Sequence, residues 1–384
     1  MGTEFSIVLP CLNEELTVGT CIRKAHQGMK SAGVDQYEII VADNGSIDRS
    51  REIAQAEGAI VVDVPQRGYG AALQAGISAA CGKYVIMGDA DDSYDFTTLT
   101  AFVNRLREGY QLVMGSRFKG EIKKGAMPFL HQYLGNPVLT GFGNLVFGCN
   151  LSDFHSGLRG FNREAILVLN LRTQGMEYAS EMVIRATLGN LTRTEVPITL
   201  YPDGRQRAPH LRTWRDGWRH LRFMLIYSPR WLFLYPGVLL TISGLVITAV
   251  LAWGPLKING IVLDVHTLLA GGVMWIVGIQ LISFALFARL YAATIGVLPT
   301  FPRLEKFMKD FSLEVGLIAG LVASLVGLAL FIVSVVIWAR SDFGPLDYER
   351  ILRLVIPGTE LLVAGIQIFF SSFMISLLGI RTGR

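Results

Sequence analysis

Asp89-Ala90-Asp91 sets two carboxylates on either side of one small residue. At the end of a strand, such a pair can share a divalent cation, Mg2+ or Mn2+, whose remaining positions are taken by diphosphate oxygens. A cation held this way neutralises the negative charge that builds on a departing diphosphate. Chance produces the triplet often, but here it follows the apolar run Tyr84-Val85-Ile86-Met87, which reads as a strand. Asp92 and Asp95 stand next to it as a third ligand or as positioning groups, and Asp95 can equally cap a helix starting near Thr97. Asn13-Glu14 and Asp43-Asn44-Gly45-Ser46 follow two earlier apolar runs in the same manner.

These clusters need elements to hold them. Strands are expected at Phe5–Leu9, Tyr37–Ala42, Ala59–Val64, Tyr84–Gly88 and Leu112–Ser116, with helices at Glu15–Ala32, Asp48–Glu57, Gly70–Ala80 and Thr97–Gly109. Such alternation calls for a mostly parallel sheet covered on both faces, with ligands beyond the carboxyl ends of the strands. Three polar clusters fall at those ends, which makes a nucleotide-sized crevice the expected site. Gly68-Tyr69-Gly70 lies between a strand and a helix, but Leu73 stands where a dinucleotide fingerprint has its third glycine. The expectation is a glycine-rich turn near the nucleotide, with Gly70 lining it.

The bulk numbers divide the chain. Charged residues make up 17% of the 384, against about a quarter in an ordinary soluble protein, and mean hydropathy is +0.42. The excess apolar content is concentrated in residues 232–252, 268–290, 315–338 and 361–380, each of the roughly 20-residue length that spans a bilayer. A net charge of +4 without lysine runs argues against nucleic acid as a partner. Cys11, Cys21, Cys81 and Cys149 lack metal-ligand spacing and read as small buried residues of a reducing compartment. Phe5–Leu9 already looks like a strand, so no signal peptide is expected. With an even number of spans, the expectation is a multi-pass protein of the plasma (inner) membrane with its first domain in the cytosol. Basic residues near Arg303, Lys306 and Lys309 agree with that orientation, while Arg340, Arg350 and Arg353 weigh against it. No internal repeat is evident.

Between the halves, Leu211, Trp214, Trp218, Leu221 and Leu225 repeat at spacings of three and four and form one helical stripe. Arg212, Arg215, Arg219 and Arg222 fall on the adjoining face, as suits a helix lying at a membrane surface among lipid phosphates. The expected division is 1–203 catalytic, 204–230 basic and interfacial, and 231–384 membrane.

Pro10-Cys11-Leu12-Asn13-Glu14, Asp43-Asn44-Gly45-Ser46-Ile47-Asp48, Asp89-Ala90-Asp91 and Gly115-Ser116-Arg117 stand in the order of inverting glycosyltransferase family 2, which this chain resembles across its first half. Asp153-Phe154-His155-Ser156-Gly157-Leu158-Arg159-Gly160-Phe161 further resembles the acceptor-side motif of dolichyl- and polyprenyl-phosphate mannose or glucose synthases. The resemblance implies an α/β, GT-A (Rossmann-like) catalytic domain followed by an amphipathic interfacial helix and four transmembrane helices. It implies that Pro10, Asn13, Glu14, Asp43, Gly45 and Ala90 hold the nucleotide, and that Asp89 and Asp91 hold metal and diphosphate. It places Arg117 and Ser156 at the acceptor phosphate. Asn44 stands where a second aspartate is common, and His131 where mannose synthases place an arginine, so His131 is only a candidate there.

The implied partners are a nucleotide-sugar (UDP-glucose by preference, otherwise GDP-mannose), a polyprenyl or dolichyl phosphate, and the bilayer; a homo-oligomer is left open. A phosphate monoester with its second pKa near 6 is an adequate nucleophile near neutral pH, so no strong base is required and catalysis rests on positioning and charge stabilisation. Glu177 and Glu181, four apart on one helix face, are candidates for sugar hydroxyls, Glu177 first. Arg205, Arg207 and Arg212 are candidates for diphosphate or lipid phosphate. Processive synthases of the same fold carry Gln-x-x-Arg-Trp, whereas Tyr227-Ser228-Pro229-Arg230-Trp231 lacks the glutamine, which implies a single transfer. The rival class is a transporter or flippase with a degenerate transferase domain. Little charge inside the expected spans and the intact Asp89/Asp91 pair argue against it.

Overall fold

The computed structural model describes residues 2–204, 213–296, 298, 312–345 and 347–379, and the chain divides into two compact units, Met1–Met224 and Leu225–Arg384. Arg205, Arg207 and Arg212 therefore lie outside the described residues.

The first unit is built on a seven-stranded sheet of β1 (Phe5–Cys11), β2 (Tyr37–Asp43), β3 (Ile60–Asp63), β4 (Tyr84–Met87), β5 (Leu112–Ile122), β6 (Arg159–Asn162) and β7 (Arg193–Leu200), in the order β3-β2-β1-β4-β6-β5-β7. Helices α1 (Val18–Ser31), α2 (Ser50–Ala56), α3 (Tyr69–Ala79) and α4 (Thr100–Arg107) fill the expected connections. Phe5, Ile7, Val8 and Leu9 of the interior strand β1 are all fully buried, as both faces of a parallel sheet require. Cys11, Cys21 and Cys149 are buried as expected; Cys81 is exposed, beyond the end of α3.

One strand runs against the rest: β6 pairs antiparallel with both β4 and β5. Its reversal has a positional effect. The segment leading into β6, Asp153–Leu158, arrives at the same sheet edge where β4 delivers Asp89 and Asp91 and where β5 carries Arg117. The connection from β5 to β6 holds a helical run with no counterpart among the expected elements, a π-helical turn His131–Gly135 continuing into α5 (Asn136–Phe147). Phe129, Leu130, Tyr133, Leu134, Val138 and Leu145 on this run are exposed. Past β6 come α6 (Arg163–Val168), α7 (Tyr178–Leu188) and α8 (Thr213–Ile226). On α8, Trp218 of the expected apolar stripe is exposed, while Met224, which lies outside that stripe, is buried.

The second unit consists of α9 (Tyr235–Leu251), preceded by a π-helical turn at Arg230–Leu234, a short hairpin of β8 (Leu256–Ile258) and β9 (Ile261–Leu263), and then α10 (Val265–Thr294), α11 (Leu313–Ala339) and α12 (Tyr348–Gly379). The four spans are long and apolar enough to cross a membrane. The fourth begins at Tyr348, well before the expected Leu361, and so carries Glu360 within it.

Close packing between these helices depends on glycine, which lets backbones approach where lipid supplies no hydrophobic drive. A Cβ on Gly244 of α9 would lie 2.5 Å from the carbonyl oxygen of Gly271 on α10, and one on Gly237 would lie 3.0 Å from that of Gly278. The same arrangement recurs between α11 and α12, where Gly327 meets the Gly358 carbonyl oxygen at 2.5 Å and Gly320 meets that of Gly365 at 2.7 Å. In both hairpins the glycines stand seven apart on each helix, the spacing of a heptad seam. Thr241 and Ser324 occupy equivalent places, each four residues after the first glycine and each against the partner helix's glycine. The two helix pairs thus share one glycine-seam pattern, which the sequence reading did not single out.

Candidate active site

The site grows from loops that are cross-braced before any ligand arrives. Asp43, at the end of β2, is fully buried and spends its carboxylate on the chain itself. Its Oδ2 accepts from Gly45 N at 3.2 Å and Ser46 N at 3.1 Å, and Arg51 Nε lies 3.0 Å away. Gly45 has a φ of +89°, the left-handed region in which a side chain is strained. Asn13 (φ +57°) ties the first loop to this one: its N–H donates to Ser46 Oγ at 2.9 Å, and its Oδ1 accepts from Ile47 N at 2.8 Å. Buried Glu14 donates its N–H to Ser50 Oγ at 2.7 Å. Pro10 pairs with Ala42 in the β1–β2 register. Asn44, where a second aspartate is common, braces the next loop by accepting from Gly68 N at 2.7 Å and donating to Gln66 O at 2.7 Å.

Beyond β4, Asp89 Oδ1 accepts from the Tyr69 hydroxyl at 2.9 Å. Burial first, then the Asp89 charge, holds that phenol well above its usual range, so it stays a donor. The sequence reading noted Tyr69 only as part of a turn; a tyrosine between glycines at a helix start was the available signal. Gly70 faces the 173–178 segment, and a Cβ there would lie 2.5 Å from Thr173 O and 2.7 Å from Tyr178 Cβ. Ala90 is buried, and Asp91 is 9% exposed, with Oδ1 accepting from Ser93 N at 3.1 Å and Ser93 Oγ at 2.6 Å. Asp92 (φ +62°) turns instead to Lys24 of α1 at 2.7 Å. Asp95 caps the short 3-10 turn Phe96–Thr98 by accepting from Thr97 N at 3.0 Å.

Among the described residues, no group of three or more His, Cys, Asp and Glu side chains is placed to hold a metal ion. The donor set at Asp89 and Asp91 is two carboxylates, all oxygen. That set fits a hard cation such as Mg2+, which is held by one or two carboxylates and completes its shell with phosphate oxygens and water.

The other half of the site is the Asp153–Gly157 loop. Arg117, 9% exposed, makes a bidentate pair with fully buried Asp153, Nε to Oδ2 at 2.6 Å and Nη2 to Oδ1 at 2.7 Å. Its backbone N–H donates to the same carboxylate at 3.0 Å. Although burial opposes the charge, the surrounding acidic groups, Tyr94 and Asp153 first, hold the guanidinium above its usual range. Gly157 N donates to the Tyr94 hydroxyl at 2.8 Å, and a Cβ on Gly157 would lie 2.6 Å from Asp89 Oδ2. Arg117 and Ser156 therefore share one edge with Asp89. Ser156 is fully buried.

Glu177 is half-buried at the N-terminus of α7. Glu181, read as its partner on one helix face, is fully buried and structural: Oε2 accepts from Arg172 N at 2.9 Å, Thr173 N at 2.8 Å and Thr173 Oγ1 at 2.7 Å, and Arg185 lies 3.2 Å from Oε1. His131 is half-buried at the start of the exposed apolar run.

Comparison with known proteins bears on this geometry. Residues 6–168 match the glycosyl transferase family 2 description, and residues 286–379 match the family 2 C-terminal transmembrane region. The low-salt glycan biosynthesis hexosyltransferase Agl6 of Haloferax volcanii is 39% identical over 375 residues, 97% of this chain and 89% of that protein. The chain belongs to glycosyltransferase family 2. It is a membrane-bound glycosyltransferase of GT-A fold, as its sequence motifs imply. The dolichyl-phosphate hexose transferase of the same organism is 30% identical over 202 residues, 51% of this chain and 82% of that protein. Glucosyl-3-phosphoglycerate synthase from Mycobacterium tuberculosis, crystallised with Mn2+, UDP and glucosyl-3-phosphoglycerate, is 26% identical over 58% of this chain and 78% of its own, with a TM-score of 0.45.

Proposed function

We propose that this family 2 enzyme transfers a hexose, with inversion, from a nucleotide-sugar to the phosphate of a polyprenyl or dolichyl phosphate at the cytosolic face of the plasma (inner) membrane. The observation that carries the reading is the connection between the two acceptor-side residues. The chain that links Arg117 to Asp153 also bears the exposed run Phe129, Leu130, Tyr133, Leu134, Val138 and Leu145. A contiguous apolar stripe that size marks a surface for lipid or protein, and in a chain with four membrane spans a lipid surface is the natural occupant. An acceptor phosphate on a long apolar tail then meets apolar side chains and an arginine on one continuous segment. Similarity to a dolichyl-phosphate hexose transferase supports the same acceptor class.

On this reading, Asp43, Asn13 and Glu14 shape the nucleotide loop, while Asp89 and Asp91 would hold a divalent cation that offsets charge on the leaving nucleoside diphosphate. The chain's own groups do the rest. Tyr69 fixes the rotamer of Asp89, Asp153 fixes the plane of the Arg117 guanidinium, and Arg117 turns its remaining N–H groups to the acceptor phosphate. Glucose from UDP-glucose is the preferred donor, with GDP-mannose the alternative. The test is transfer from labelled UDP-glucose and GDP-mannose to polyprenyl phosphate in detergent, with and without Mg2+ or Mn2+. Label entering the lipid phase as acid-labile glycosyl phosphate supports the reading, and donor turnover without lipid label overturns it.

A further inference from the structure

We propose that His155 and Ser156 are the recognition pair for hydroxyl groups of the hexose carried by the donor, an inference that rests on the nucleotide-sugar reading above. The rest of their loop is committed. Asp153 is spent on Arg117 at one end, and Gly157 N on Tyr94 at the other. Beneath the loop, fully buried Arg159 donates to the carbonyl oxygens of Ser156 (2.8 Å), Phe154 (3.3 Å) and Ala179. Phe154 N reaches Thr140 Oγ1 at 3.4 Å. A backbone held from so many sides does not relax to satisfy its own side chains.

Those side chains have hydrogen-bonding capacity left over. Among the described residues, both ring nitrogens of His155 and the hydroxyl of Ser156 are buried without a hydrogen-bond partner. Leaving a buried polar group unpaired costs about 1–3 kcal/mol, so an arrangement with three such atoms on adjacent residues is built for a partner from outside the chain. The imidazole is also aimed. Its ring packs against Phe154 (centroids 5.1 Å apart) and edge-on against His220 of α8 (4.7 Å), and His220 Nδ1 is itself held by Ser180 Oγ at 2.9 Å.

Position selects the ligand. Gly157, next along the loop, abuts Asp89 Oδ2, the carboxylate assigned to the diphosphate, and the hexose is the group bonded to that diphosphate. Chemistry agrees. Burial first, then His220, Arg117 and Arg159, pushes the imidazole well below its usual range. A neutral ring offers one donor and one acceptor, and a serine hydroxyl offers both as well. Sugar hydroxyls use both kinds, whereas a phosphate dianion only accepts.

The test is calorimetric binding to the full-length protein in detergent, without acceptor, of UDP-glucose, GDP-mannose, UDP and GDP, for wild type, His155→Ala and Ser156→Ala. The donor that wild type prefers should bind about tenfold more weakly to His155→Ala, the loss of roughly one hydrogen bond, while its nucleoside diphosphate binds as before. A deoxy analogue lacking the contacted hydroxyl should bind wild type and variant alike. Equal weakening of donor and nucleoside diphosphate overturns the proposal. So does intact donor affinity with a raised KM for polyprenyl phosphate, which would assign the pair to the acceptor. If His155→Ala does not fold, Ser156→Ala and the deoxy series on wild type decide, and a flat result in both overturns the proposal. Absence of lipid product from wild type would sink the acceptor reading alone, because the sugar's contribution to binding is measured without acceptor.

Discussion

Both units bury carboxylates, and they treat them differently. In the catalytic unit, Asp153 and Glu181 are fully buried, and each collects several N–H or O–H donors, Asp153 from Arg117 of β5 and Glu181 from Arg172 and Thr173. In the membrane unit, Glu360 is 4% exposed and receives Trp275 Nε1 at 2.9 Å and Thr248 Oγ1 at 3.4 Å, both on one oxygen. The first arrangement fixes loops around a site. The second ties α12 to α10 and α9 and leaves Oε1 pressed against Gly272, where a Cβ would collide with it. Buried carboxyl groups thus shape the site in one unit and helix packing in the other.

Four substitutions and one control test that contrast. Asp91→Ala should lower lipid-linked transfer by at least about a hundredfold, the scale of a lost electrostatic group in catalysis, with the protein still folding cooperatively; turnover near wild type would remove Asp91 from the chemistry. Asp153→Ala should cost about 3–5 kcal/mol of catalytic-unit stability, because it strands Arg117 without its buried partner, as read by denaturant unfolding of the full chain. Gly272→Leu should destabilise the membrane unit by about 1–3 kcal/mol through overpacking on Glu360, measured as thermal aggregation in detergent. Gly141→Ala, with open space around its Cα, is the silent control. Glu360→Gln should be mildest, about 1 kcal/mol or less, as interhelical hydrogen bonds in membranes are weak individually. A loss of transfer in Glu360→Gln with stability intact would break the contrast and give the membrane unit a share in the reaction.

The elements that carry Asp43, Asp89 and Asp91 were legible because alternating apolar runs and helical patterns are local signals, and β1, β2, β4 and β5 start where those signals place them. The antiparallel insertion of β6 was not, since four residues, Arg159–Asn162, give no local cue to direction. Sequence also names residue types without saying how their hydrogen bonds are spent. Glu181 and Asn44 look available for ligands and are committed to the fold, whereas His155, quoted only as part of the Asp153–Phe161 motif, has no hydrogen-bond partner among the described residues. Glu360 fell outside the expected fourth span because hydropathy favours the apolar stretch that follows it. Its place inside α12 also weakens the premise that the spans hold little charge. The exposed stripe before and on α5 was overlooked, although Pro128 just ahead of it and Pro137 in the first turn of α5 were the available helix-start signals.

The repeated glycine-seamed hairpin changes how the spans are counted. With the hairpin as the building block, the membrane unit grows or shrinks by two crossings at a time. Adding or losing one block changes the number of crossings by two and so preserves its parity.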